Sequence, residues 1–320
     1  MTVPTIESQG GTIRWLEADD GTKLRTAAFP PKGPKGKANN QGRLFFLTGF
    51  SEFIEKHLES IADWQKRGFA VWTMDWRGQG LSDRPLENRD KGHIADFDRF
   101  LADLDLVLAE VVPHAPITLV GHSMGGHLAL RLAHDRPARI ARLVLIAPMI
   151  DLVLPMGTHG LAQIATLGLS WFGFDDHYVP GGQDYGLWRE TFEGNILTSD
   201  RARFDRTVAQ VRANRQLGIG APTIGWTRAA FRSIDEVRQS GYVEGVFSPT
   251  LVIGAGRDAL VDTEAAKALM RRLPRGRFLV IEEALHEILQ ERDEIRARFW
   301  RAFDGFIEET GGGDGGQAQG

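Results

Sequence analysis

Cysteine is absent from all 320 residues. Its absence excludes disulfides, a thiolate nucleophile and cysteine-ligated metals; it leaves the compartment open, because a chain without disulfides survives in either redox setting. The histidines form no His-x-x-x-His pair, so neither a metal cluster nor a cofactor is expected. Long apolar runs are missing too. The best, Leu143 to Met156, is broken by Pro148, Asp151 and Pro155 and falls short of the roughly 18 residues of a spanning helix. Met1 to Glu7 has no basic segment followed by an apolar stretch, so the chain reads as cytoplasmic with at most peripheral membrane contact. Neither sign of charge dominates: a net charge of -4 gives no general attraction to polyanions, and nucleic acid is not expected as a partner.

What is present is a composition of 42% hydrophobic and 25% charged residues, that of a globular protein able to bury a sizeable core. Its most informative stretch is Leu119-Val-Gly-His-Ser-Met-Gly-Gly126. Here Ser123 stands between Gly121 and Gly125, after an apolar run (Ile117 to Val120) and before a helical stripe of Met124, Leu128 and Leu132. A G-x-S-x-G sequence at such a strand-to-helix join is a nucleophile elbow, whose tight turn exposes the serine hydroxyl. The plainer alternative is that the glycines only permit close packing and Ser123 caps a helix.

Around this join the pattern is alternating. Thr12 to Glu17 and Lys23 to Phe29 flank Ala-Asp-Asp-Gly and read as a hairpin, and Pro30 to Gly42 reads as an exposed loop. Strand and helix signals then follow one another: Leu44 to Thr48, Phe53 to Arg67, Phe69 to Asp75, Ile94 to Val112, the elbow pair and Ile140 to Ala147. They resume with Thr250 to Gly254, Asp262 to Leu273, Arg277 to Glu282 and a last helix from about Glu287 to Glu309. Such alternation predicts an α/β fold with a mostly parallel sheet flanked by helices. The stretch between lacks this rhythm and carries many aromatics. The expected organisation is therefore a core from residues 1–148 and 246–309, a mainly helical cap inserted at 149–245, and a disordered glycine-rich tail at 310–320.

A serine needs a histidine base, and the base needs a carboxylate; in an elbow fold both follow the nucleophile in chain order. Asp258 ends the strand-to-loop run Leu251 to Asp258, whereas its rival Asp262 reads better as the cap of the next helix. His286 is the histidine lying beyond the insertion. The amides of Met124, after the nucleophile, and of Phe50, in the loop Thr48-Gly-Phe-Ser51, are the candidate oxyanion donors. Asp75 to Asp83 is glycine-rich but lacks the lysine and helix start of a phosphate cradle, and reads as scaffolding, with Arg77 and Asp83 free to tie loops together.

With the elbow, Asp75-Trp-Arg-Gly-Gln-Gly-Leu-Ser82 and Leu285-His-Glu-Ile-Leu289 in order, the chain resembles the α/β-hydrolases of the monoacylglycerol lipase-like group. Within that group it is most similar to the bacterial lysophospholipases associated with the inner membrane. Gly92-His-Ile-Ala-Asp-Phe-Asp98, Asn195-Ile-Leu-Thr198 and Pro222-Thr-Ile-Gly-Trp226 extend the likeness into the insertion. The resemblance implies ester hydrolysis on a small single-chain lipid. A small-ester carboxylesterase, an aminopeptidase and a non-catalytic binding homologue are the readings left open. Arg201, Arg203, Arg206, Arg212 and Arg215 could present cations to phospholipid head groups or simply solvate a helix.

Overall fold

The computed structural model describes residues 5–32, 42–112, 115–153 and 159–311. In chain order these form β1 (Thr12–Glu17), β2 (Lys23–Phe29), β3 (Gly42–Leu47), α1 (Leu58–Lys66), β4 (Phe69–Met74), α2 (Asp98–Glu110), β5 (Ile117–His122), α3 (Met124–Asp135) and β6 (Ile140–Ile146). There follow α4 (His159–Trp171), α5 (Leu187–Glu190), α6 (Arg201–Ala213), α7 (Ile224–Arg238), β7 (Thr250–Ala255), α8 (Thr263–Met270), β8 (Gly276–Ile281) and α9 (Asp293–Gly311).

The strands make one sheet of eight in the order β1-β2-β4-β3-β5-β6-β7-β8. The hairpin β1-β2 and the β2-β4 pair are antiparallel, and the remaining pairs are parallel. Alternation along β3 shows why the sheet is covered on both sides. Phe45 and Leu47 enter one apolar cluster with α2, α3 and α8, while Leu44 and Phe46 enter another with α1 and α9. Every residue of β5 is buried, which its unbroken apolar run anticipates. On α9, Ile295, Phe299, Phe303 and Phe306 return to the same helix face; truncating one of these rings to alanine costs about 3–5 kcal/mol. The hairpin turn ends on Gly21, whose φ of 82° suits glycine.

Strand order reverses at β3, with β4 on one side and β5 on the other. That is the switch point where loops leaving the carboxyl ends diverge and open a crevice. Between β6 and β7 the described residues hold α4 to α7 and no named strand. Thr223 and Asp200 cap α7 and α6, accepting from Trp226 N and Arg203 N. Helix α7 joins the main core through Ala229, Ala230, Ile234 and Val237, so the insertion is partly continuous with the body of the fold.

Helix boundaries differ from the sequence pattern in several places: a 3-10 turn over Ile54–His57 precedes α1, which begins at Leu58 rather than Phe53; α8 ends at Met270 rather than Leu273; and α2 and the last helix start late. Helix α2 starts at Asp98 rather than Ile94, because Gly92 is bonded to Ala221 and Thr223 of the insertion and Asp96 Oδ1 accepts from Asp98 N. The last helix starts at Asp293 rather than near Glu287. Glu291 accepts from Leu285 N at 2.9 Å and Ser199 N at 3.1 Å, which holds 285–291 in a loop with one 3-10 turn. Helix α9 runs through Gly311; the rest of the predicted tail, and residues 33–41 of the predicted Pro30 to Gly42 loop, lie outside the described residues.

Glu59 of α1 fastens α6 to the body, accepting from Arg203, Arg206 and Arg296 at 2.6–3.0 Å. Burial works to raise its pKa, but these guanidinium bonds outweigh it and lower the carboxyl from 4.5 to about 2. The folded value lies below the unfolded one, so its stabilisation is complete above pH 4.5 and fades as pH falls toward 2. Glu59→Gln is expected to cost about 2 kcal/mol at pH 7, with wild type and variant converging in urea unfolding at pH 3 to 2; a gap independent of pH over that range would reject the assignment.

Candidate active site

β5 ends at His122 and α3 begins at Met124, so Ser123 makes the turn alone, at φ 53° and ψ -119°. A positive φ in a residue with a Cβ costs about 1–3 kcal/mol, and such strain concentrates at functional sites. The space around the turn is fully taken. A Cβ on Gly121 would lie 2.3 Å from Gly125 O, and one on Gly125 would lie 2.4 Å from both Leu47 O and Thr48 O. The motif's spacing is thus a steric requirement of β5, α3 and the β3 loop meeting. Although Ser123 occupies the cap position of α3, its side chain makes no capping bond. Its Oγ instead lies 3.0 Å from His286 Nε2.

His286 follows β8 in the loop held by Glu291, and its Nδ1 is 2.7 Å from Asp258 Oδ2. A carboxylate can only accept, so Nδ1 carries the proton and Nε2 is left to accept from the serine hydroxyl. Asp258 Oδ1 takes Leu260 N at 2.8 Å and Val261 N at 3.0 Å, which fixes the carboxylate plane. Burial acts to raise its pKa, but the His286 hydrogen bond and charge and these two amides keep it below the ordinary value. Asp262, the rival acid, accepts from Ala265 N at 2.8 Å and caps α8. Ser123, His286 and Asp258 are therefore brought together from the ends of β5, β8 and β7.

The loop after β3 adjoins Ser123. Gly49 N donates to Glu52 Oε2 at 2.5 Å and Ser51 N donates to Gln79 Oε1, while Phe50 N between them has no acceptor among the described residues. Met124 N is likewise one of the first-turn donors of α3 that a helix leaves unpaired. The Phe50 ring packs on Trp226 at 4.7 Å, and a Cβ on Gly92 would collide with it at 2.4 Å.

A buried charged cluster behind this loop is not apparent in the sequence pattern. Glu52 pairs with Lys56 at 2.9 Å and with His122 Nδ1 at 3.0 Å; Lys56 also meets Glu287 at 2.5 Å. His122 Nε2 donates to His286 O at 3.1 Å. Both its ring nitrogens face oxygens, which suits the imidazolium. Burial disfavours that form most, but the charge and hydrogen bond of Glu52, the charge of Glu287 and the His286 carbonyl together prevail and raise the His122 pKa. The one available hint was the placement of His122 and Glu287 beside the two strongest motif residues.

Ser123, Phe50 and His286 open on a largely apolar cavity of about 490 Å³, and Tyr185, Trp188 and Trp226 of the insertion complete its wall. Among the described residues no group of three His, Asp or Glu could hold a metal. Arg77 bonds Asp103 and Asp20, and Asp83 accepts from Lys23 N, so the Asp75 to Asp83 loop ties neighbouring loops to the sheet. The five arginines of 201–215 are each paired with a carboxylate: Arg201 with Asp205, Arg203 and Arg206 with Glu59, Arg212 with Glu190 and Arg215 with Asp90.

Residues 38–293 match the family described as serine aminopeptidase, S33. The chain belongs to that family. As an α/β-hydrolase it is 28% identical over 295 residues to lysophospholipase L2 of Escherichia coli K12, covering 88% of this chain and 85% of that one. It is 20% identical to the monoglyceride lipase homolog of monkeypox virus, over 82% and 88% of the two chains. The crystal structure of a soluble variant of monoglyceride lipase from Saccharomyces cerevisiae, in complex with a substrate analogue, shares the fold with a TM-score of 0.74 at 18% identity, over 96% and 99% of the chains.

The elbow of this α/β-hydrolase leaves no space for a methyl group. Gly125→Ala is expected to lower stability by more than about 3 kcal/mol, since neither carbonyl it strikes can yield without moving β3. Denaturant unfolding with an unchanged midpoint would show that the turn is looser than these contacts demand.

Proposed function

We propose that this protein hydrolyses carboxylic esters of single-chain lipids, a lysophospholipid or a monoacylglycerol, through Ser123, His286 and Asp258 and an acyl-enzyme. The observation that carries the reading is the hydrogen-bonded line from Ser123 Oγ through His286 to Asp258 at 3.0 and 2.7 Å, facing an apolar cavity. His286 takes the serine proton as Oγ attacks the acyl carbon, and Asp258 holds the tautomer and stabilises the imidazolium. The amides of Phe50 and Met124 receive the oxyanion, each worth roughly 3 kcal/mol in the transition state. His286 then protonates the departing alcohol, and water, activated by the same ring, releases the fatty acid.

The names of the relatives, a lysophospholipase and monoglyceride lipases, support the substrate class. The family's description raises aminopeptidase action as the rival. That activity calls for a free carboxylate to receive a substrate ammonium, whereas both Glu52 and Glu287 in the cavity wall are engaged by Lys56. In this reading residues 149–245 form a cap over the core.

No helix among the described residues is long and apolar enough to cross a membrane. Peripheral contact through α4 fits its surface: Leu161, Ile164, Leu167 and Trp171 form one stripe with 58–88% of each residue exposed.

Ser123→Ala is expected to abolish labelling by a fluorophosphonate probe with no change in melting temperature, and Asp258→Asn to lower kcat by about 10,000-fold. Labelling that survives Ser123→Ala would remove the nucleophile assignment. Replacing Leu161 and Leu167 by Glu should weaken co-sedimentation with vesicles about tenfold or more per residue, as each buried leucine contributes roughly 1.5–3 kcal/mol; unchanged partitioning would count against the α4 contact.

A further inference from the structure

In contrast to the five paired arginines of 201–215, Arg189 of α5 lines the same cavity as Ser123 with no carboxylate within 4.0 Å among the described residues. Its guanidinium stacks on Trp188 at 4.5 Å, and Trp188 is itself held by a bond from Nε1 to Asp184 O at 2.8 Å. Arg189 Nη2 donates to Gly220 O at 3.0 Å; among the described residues Nη1 has no partner, and Nε is cut off from solvent without an acceptor. Glu287 acts on it through space, but that carboxylate is already held by Lys56 at 2.5 Å. A cation lining an apolar cavity with Nη1 unmet is costly unless an anion arrives to meet it. Consistent with this, burial draws the Arg189 pKa below its ordinary value.

We propose that Arg189 is the headgroup-binding residue of this cavity, taking the phosphodiester of a lysophospholipid whose acyl ester lies at Ser123. This rests on the ester-hydrolase reading and deepens it, by assigning the anionic lipid over the neutral monoacylglycerol. The planar fork offers a phosphate paired, charge-assisted bonds that a neutral glycerol cannot repay. Trp188 and the Gly220 carbonyl hold the fork in place, so little side-chain freedom remains to be lost on binding. Arg189 here binds and positions; it carries no proton transfer.

The test compares lysophosphatidylglycerol with monoacylglycerol of the same chain. Arg189→Ala is expected to lower the ratio of their kcat/KM values ten- to a hundredfold, through KM of the phospholipid, and Arg189→Lys to recover part of it. Equal losses on both lipids, or none on either, overturn the proposal and make Arg189 a structural tie to Gly220. A second arm needs no turnover: calorimetric binding of dodecylphosphocholine, of 1-O-dodecylglycerol and of inorganic phosphate to wild type and Arg189→Ala. The proposal expects at least tenfold weakening for dodecylphosphocholine alone. Inorganic phosphate binding as tightly as the lipid would replace the headgroup assignment with a free-phosphate site. Wild type that binds dodecylphosphocholine through Arg189 yet cleaves no ester would fail the hydrolase reading while leaving this site standing.

Discussion

A backbone turn too tight for a side chain on either flank governs the carboxyl edge of this sheet. Ser123 holds a positive φ, and so do Ser51 after β3 and Ala147 after β6, the non-glycine residues in that conformation among those described. Each costs of order 1–3 kcal/mol, so the turns persist only because their surroundings over-determine them. Around Ser123 that means one bond from its N to Ile146 O at 2.9 Å, and bonds to its O from His127 N and Met149 N, each at 3.0 Å. Strand β6, the loop after it and α3 thereby clamp one residue on both of its peptide groups. Glycines at 121 and 125 follow as the residues that let those elements close in.

The same edge depends on a buried carboxylate. Glu52 receives Gly49 N, pairs with Lys56 and faces His122, which in turn donates to His286 O. One ionised side chain thus links the Phe50 loop, the elbow strand and the loop of His286. Burial opposes its ionisation, but the charges of Lys56, His57 and His122 prevail and hold its pKa well below the ordinary carboxylate value. Such a network is unforgiving, because removing one member strands the others in a low dielectric. Position rather than net stability is what it supplies: it fixes the carbonyl of His286 while Asp258 fixes the ring.

What the sequence made legible was local. Strand β5, its turn and α3 announce themselves because an apolar run, two glycines and a helical stripe lie within twenty residues of one another, about the span over which periodicity can be read. Capping preference separates Asp262 from Asp258 in the sequence, and Asp262 does cap α8. The misses turn chiefly on long-range partners. Glu291 stops α9 from starting early through Ser199, a partner 92 residues away, and Lys56 reaches Glu287 across 231 residues. Helix α2 starts late because Gly92 is held by residues near 222, which no local pattern records. The arginines of α6 illustrate the same limit, since a basic stripe on paper becomes a set of ion pairs once Glu59 is beside it.

Those long-range bonds also divide the insertion mechanically. Leu197 O accepts from Glu287 N at 2.8 Å, Thr198 Oγ1 donates to Gln290 O at 2.7 Å, and α6 is clamped by Glu59. Moving the stretch from Asn195 to Ala213 would therefore strain the loop of His286 and lengthen its bond to Ser123. Among the described residues α4 and α5 make no hydrogen bond or ion pair to that loop; α4 packs chiefly on α7 with its outer stripe facing solvent, and α5 is tied to α6 through Glu190 and Arg212. A molecule entering past α6 must first break the bonds that hold the loop of His286, whereas the outer face of α4 bears none of them. The bonds that keep His286 in register thus also bind the α6 wall of the cavity to the body of the fold.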